Sequence, residues 1–156
     1  MSHPKSKPPS LDYILRRISD EKTLTLFNSI AISEADGSVL LSKMNLTTKQ
    51  YYSRISSLTD ACLIKRYKGK YSLTLLGKAV YDSQMTIGKA LSYYWKLKAI
   101  ESIEMSSGDS LPKEELVKLI GALIDNHQIK DMIMKPISVD STNEDTNMQL
   151  VGKKQN

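Results

Sequence analysis

Apolar residues at Leu11, Ile14, Leu15 and Ile18 recur at i, i+3, i+4 and i+7, the spacing that gathers one face of a helix. Ser10 precedes the stripe, where its hydroxyl can accept from the first turn. Asp20 repeats the capping signal for a second helix reaching about residue 33, with Glu21 at its electropositive start. Leu24, Phe27, Ile30 and Ala31 form its expected inner face. Asp36-Gly37 reads as a turn. A short helix over 38–44 follows, offering Leu40, Leu41 and Met44 for burial, and Asn45-Leu46 breaks it. Thr47 then opens a third helix over 47–61, and Gln50 three residues later completes a capping box.

Beyond this point the pattern changes period. Leu63-Ile64-Lys65-Arg66-Tyr67 predicts a strand, Lys68-Gly69 a tight two-residue connection, and Lys70-Tyr71-Ser72-Leu73 the returning strand. Thr74 caps a helix carrying Leu75, Leu76, Ala79 and Val80. A long helical pattern covers 85–105, residues 106–110 read as a linker, and Pro112 starts a helix over 113–126 with Glu114 and Glu115 at its positive end. Ile129, Met132 and Ile133 extend or follow that helix. The fold class is mainly α with a small β-hairpin. Four segments are expected: a disordered tail over 1–9, a helical and hairpin domain over 10–84, a helical segment over 85–135, and a polar, disordered tail over 136–156.

Helix 47–61 has two unlike faces at about 100° per residue. Tyr51, Ile55, Leu58 and Cys62 fall together and are expected in the core. The opposite face holds Lys49, Ser53 and Ser56, with Gln50 and Ser57 on one flank and Tyr52 on the other, and meets no acid until Asp60. Gln pairs with adenine, Ser with several base edges, and Lys with guanine or phosphate; Arg54, nearer the flank, is placed to reach a phosphate.

Charge sharpens this reading. Residues 1–37 balance five Lys/Arg against five Asp/Glu; residues 38–105 hold eleven against four, and residues 106–156 six against eight. The excess positive charge therefore lies in the middle, as a polyanion-binding surface requires. Lys65, Arg66, Lys68 and Lys70 crowd six positions around the hairpin tip. A solvated lysine-rich face, or an edge strand protected against aggregation, would account for either feature alone. Together they favour DNA.

The stretch from Leu46 through Thr47, Thr48, Lys49, Gln50, Tyr51, Tyr52, Ser53 and Arg54 to Cys62-Leu63-Ile64-Lys65-Arg66 resembles the recognition-helix segment of MarR- and ArsR-like regulators. There a Gly-Leu-Ile or Gly-Leu-Val step precedes the basic residue; here Cys62 stands where Gly is usual. The run Lys70-Tyr71-Ser72-Leu73-Thr74-Leu75-Leu76-Gly77 is similar to the "Leu-Thr, two residues, Gly" segment after the wing. The pairing resembles archaeal winged helix-turn-helix transcription regulators over residues 20–85. The resemblance implies that Thr48, Lys49, Gln50, Ser53 and Arg54 face DNA. The expected contact set is Thr47, Thr48, Lys49, Gln50, Tyr52, Ser53, Arg54 and Ser56 in the major groove, with Lys65, Arg66, Lys68 and Lys70 on backbone or minor groove.

The helices after the hairpin suggest a homodimer. Leu91, Tyr94, Leu97, Ile100 and Ile103 step by three or four residues, with Trp95 beside them, and Leu116, Val117, Leu119, Ile120, Leu123 and Ile124 make a second broad apolar face. These helices would otherwise close on each other as a monomeric core. An enzyme is not expected: His3 and His127 stand apart, no Cys or His pair has metal spacing, and no Gly-rich phosphate loop occurs. No cofactor or metal is implied, and no effector-specific constellation stands out. A winged helix serving as a protein-interaction module in a transcription or chromosome-associated assembly is the competing reading, kept alive by Tyr93-Tyr94-Trp95. Cys62 is the single cysteine, no apolar run approaches the roughly 20 residues that cross a bilayer, and residues 1–10 lack the apolar stretch of a secretory signal. A cytoplasmic protein is expected.

Overall fold

A computed structural model describes residues 7–33, 37–108 and 111–136. It is mainly helical with one two-stranded antiparallel hairpin, and it divides into a unit ending at Tyr81 and a second unit beginning at Asp82. Most of both expected tails, the turn residue Asp36, and the linker residues Asp109 and Ser110 lie outside the described residues.

The first unit starts with α1 (Leu11–Ile18) and α2 (Glu21–Ile32). The Ser10 hydroxyl accepts from the Tyr13 N–H at 3.4 Å, and Asp20 accepts from the Thr23 N–H and hydroxyl at 2.9 Å each. Only half of the expected α1 stripe is used: Ile14 and Ile18 are buried, while Leu11 and Leu15 remain exposed. On α2 the inner face is rotated from the expected one. Thr23, Leu26, Phe27 and Ile30 are buried, and Leu24 lies at the edge.

Helix α3 (Gly37–Lys43) buries Leu40, with Leu41 and Met44 packed beside it, and the chain then turns at Asn45 with φ 46°. Helix α4 (Thr48–Asp60) opens with a complete capping box. The Thr47 N–H donates to Gln50 Oε1 at 3.1 Å, and the Gln50 N–H donates to Thr47 Oγ1 at 3.2 Å. Its buried face is Tyr51, Ile55 and Leu58. Removing each such side chain from water contributes roughly 1.5–3 kcal/mol.

Cys62 departs from its expected core position. It is exposed and left-handed, at φ 57°. The Leu63 N–H reaches back to the Leu58 carbonyl at 3.0 Å and the Cys62 N–H to the Thr59 carbonyl at 2.9 Å, the two bonds of a Schellman stop. The reversal turns residue 62 outward and drives Leu63, rather than Cys62, into the core.

Strands β1 (Ile64–Tyr67) and β2 (Lys70–Leu73) pair as Ile64↔Leu73, Lys65↔Ser72, Arg66↔Tyr71 and Tyr67↔Lys70. Lys68 and Gly69 both take positive φ, 48° and 81°, as a primed two-residue hairpin requires. Thr74 then caps α5 (Leu75–Ser92), its hydroxyl accepting from the Gly77 N–H at 2.9 Å. Leu75 and Leu76 are exposed. Gly77 takes the inward position, because a Cβ there would stand 1.9 Å from the Leu63 carbonyl oxygen. Val80 and Tyr81 pack on the same core, with the Tyr81 ring edge-to-face on Phe27 at 6.3 Å.

In the second unit the long helix expected over 85–105 is interrupted. Helix α5 ends at Ser92, Tyr93 takes φ −95° and ψ 7°, and α6 (Tyr94–Ser106) begins on a new phase. Helix α7 (Lys113–Leu123) stops earlier than the expected 113–126; Ile124 is extended, and Asn126 caps a separate α8 (His127–Met134) by accepting from the Ile129 N–H at 3.1 Å. Ile100, Ile120, Ile124 and Ile129 form the buried centre of this unit. Among the described residues no helix is long and apolar enough to cross a membrane.

Candidate functional site

Packing of Tyr51, Ile55 and Leu58 turns Thr48, Lys49, Tyr52, Ser53 and Ser56 of α4 to solvent. The first acid beyond them is Asp60, whose Oδ2 accepts from the Ser56 hydroxyl at 3.4 Å. Two members of the expected contact set are engaged locally. Thr47 and Gln50 hold each other in the capping box, so the amide nitrogen of Gln50 is the group left to reach outward. Tyr52 sets its ring edge-to-face against Tyr51 at 5.3 Å.

Arg54 is held rather than extended. Its Nη2 lies 3.2 Å from Asp20 Oδ2, its Nε donates to the same oxygen at 3.2 Å, and its Nη1 donates to the Gln50 carbonyl at 3.3 Å. Asp20 is depressed below the usual carboxylate range, first by the Thr23 N–H, then by the Thr23 hydroxyl, with the Arg54 charge adding to them. Arg17, absent from the sequence expectation, donates to the Ser57 hydroxyl at 3.3 Å. No local pattern announces either contact, because the pairs are separated by 34 and 40 positions.

The cross-strand register sorts the basic residues of the hairpin onto two faces. Paired residues share a face and alternate pairs oppose. Arg66 and Tyr71 share the side of buried Ile64, with the Arg66 guanidinium 5.6 Å from the Tyr71 ring centre. On that side a cleft of about 270 Å³ brings Arg66 and Tyr71 together with Tyr51, Tyr52 and Leu41. The other face carries Lys65, Tyr67, Lys70 and Ser72, and Lys68 lies at the turn with its Nζ 5.3 Å from the Tyr67 ring. The first unit thus brings Tyr52 of α4 and Arg66 to one cleft, and sets Lys65, Lys68 and Lys70 on the other face of the hairpin.

The residues expected to form a dimer seam do not share one exposed face. Ile100 is 6% exposed and Leu97 packs beside it, both committed to the core of the second unit. Leu91, Tyr94, Trp95 and Ile103 are exposed, with Trp95 at 78% and its ring edge-to-face on Tyr94 at 5.0 Å. The break at Tyr93 separates Leu91 from the residues on α6 with which its spacing had aligned it. The Tyr93 hydroxyl donates to Asp125, which raises the tyrosine above its usual range and lowers the aspartate. A groove of about 430 Å³ in this unit is walled by Leu97, Leu116, Val117 and Met134, with Glu101 and Glu104 at its margin.

Among the described residues no group of three or more His, Cys, Asp or Glu side chains could hold a metal ion. No protein-family model, curated protein or solved structure matches this chain.

Proposed function

We propose that the first unit is a winged helix-turn-helix domain that binds double-stranded DNA, and that the protein is a sequence-specific transcription regulator. The observation that carries this reading is the exposed, acid-free start of α4 joined to a basic hairpin. Lys49, Tyr52 and Ser53 lie on the α4 surface, and Tyr52 shares a cleft with Arg66 of β1. In this reading α4 enters the major groove, where Lys49 and Ser53 reach base edges. Arg66 and the hairpin lysines meet phosphates or the minor groove and set position. Arg54, tied to Asp20, braces α4 instead of contacting DNA.

The same reading includes a homodimer formed through the second unit, by way of Leu91, Tyr94, Trp95 and Ile103 instead of Leu97 and Ile100. Two copies present two α4 helices to successive turns of the duplex. Exposed Trp95 also supports a second reading, in which the domain is an interaction module that docks a protein partner on this aromatic surface.

Selection of bound fragments from random duplex DNA, followed by anisotropy titration of the enriched sequence, tests the main reading. Enrichment of a defined site, with affinity that falls steeply from low to moderate salt, supports it. Absence of duplex binding at low salt transfers the case to the interaction module.

A further inference from the structure

The hairpin carries more aromatic surface than phosphate contact needs. Tyr67 is 67% exposed and lies directly across from Lys70, on the face opposite Ile64 and Tyr71. Lys65 and Ser72 continue that face, and Lys68 covers part of the ring from the turn. Together with Arg66 these residues line a concavity of about 450 Å³ whose wall includes no carboxylate. Since Ile64 and Tyr71 direct the other face inward, this surface lies on the opposite side of the hairpin from the Tyr52 cleft, and Arg66 lines both.

We propose that this outer face of the hairpin is a second nucleic-acid site, which takes a single-stranded segment by stacking an unpaired base on Tyr67. A duplex hides the faces of its bases within its own stack and shows a protein its edges and phosphates. An unpaired base exposes its face, and an aromatic side chain flanked by cations meets both its requirements: the ring receives the base, and the ammonium groups meet the adjoining phosphates. Lys65, Lys68 and Lys70 supply those charges around one ring. Lys68 covers the ring by a cation–π contact of modest energy, so an incoming base can displace it toward a phosphate. Recognition of this kind tolerates sequence, since every base has a face to stack. The site shares Lys65, Lys68 and Lys70 with the duplex-binding reading but does not depend on it.

The test is anisotropy of the full chain with a labelled oligothymidylate of about twelve nucleotides and, separately, with a duplex, for the parent protein, Tyr67→Ala and Tyr67→Phe. The parent should bind the oligothymidylate at low salt; Tyr67→Ala should weaken that binding about tenfold, and Tyr67→Phe, which keeps the ring, should remain within about twofold. In Tyr67→Trp, emission should be quenched by the oligothymidylate beyond the change seen for the parent, whose single tryptophan is Trp95. Far-UV circular dichroism checks that each variant is folded. The proposal is overturned if the folded parent fails to bind the oligothymidylate, if Tyr67→Ala binds it like the parent, or if Tyr67→Phe loses as much as Tyr67→Ala. Loss confined to the duplex also overturns it, in favour of a groove contact. Duplex binding is read in its own arm, so the two proposals can fail independently.

Discussion

The Arg54 guanidinium meets the Asp20 carboxylate at 3.2 Å, tying the middle of α4 to the residue that caps α2. One carboxylate thereby serves the Thr23 N–H, the Thr23 hydroxyl and a cation from a distant helix. Because the folded protein holds Asp20 below its usual 3.8, its charged form contributes stability above that pH, and the contribution is lost as pH falls through the lowered value. Asn retains the capping function but not the charge. Asp20→Asn should therefore lower the urea midpoint at neutral pH, with the difference from the parent closing well below pH 3.8. An equal gap at both extremes would show that the charge is unimportant.

Cys62→Gly should stabilise the protein by about 0.5–1 kcal/mol, raising the melting temperature by a few degrees. Residue 62 is exposed and left-handed, and glycine adopts φ 57° without the Cβ penalty. Part of the gain is offset by the greater freedom of glycine in the unfolded chain. Cys62→Val should shift the melting temperature in the opposite direction.

Gly77→Ala should destabilise the first unit by roughly 3 kcal/mol, since the new methyl would meet the Leu63 carbonyl oxygen and the start of α5 would have to move. Ala usually stabilises a helix relative to Gly, so the sign of the change is diagnostic. Chemical denaturation reads it directly.

On the duplex-binding reading, Lys49→Ala and Ser53→Ala should reduce discrimination between a selected site and random duplex by about 1–3 kcal/mol. Lys68→Ala with Lys70→Ala should weaken binding to both DNAs alike and flatten the salt dependence. Gln50 needs a separate control because its side chain caps α4. Gln50→Glu preserves the capping box but places a negative charge beside the DNA, so helix stability should be kept while affinity falls. Equal losses on both DNAs from every change would refute the division of roles.

Sedimentation equilibrium separates seam from core in the second unit. The chain has a mass of 17.5 kDa, and the proposed dimer should sediment at about twice that value. Leu91→Glu with Trp95→Glu alters exposed residues and should yield a folded monomer. Ile100→Glu places a charge in the packed centre and should unfold the unit instead of simply parting two copies. A parent that stays at the single-chain mass at tens of micromolar sinks the dimer.

Elements whose cause is local were legible in the residues themselves. Ser10, Asp20, Thr47 and Thr74 act on N–H groups three positions ahead, and Lys68-Gly69 closes a hairpin within two residues, so short windows contain both partners of each interaction. The polar outer side of α4 was also readable, since helical pitch alone separates Lys49 and Ser53 from Tyr51 and Ile55. Contacts formed across the fold decided the rest. The tie from Arg54 to Asp20, the inward place of Gly77 against Leu63 and the commitment of Ile100 to its own unit all depend on which distant surfaces meet. Spacing states which residues can share a face; only packing determines whether that face is met by a neighbouring helix or by water, because burial is a property of both surfaces together.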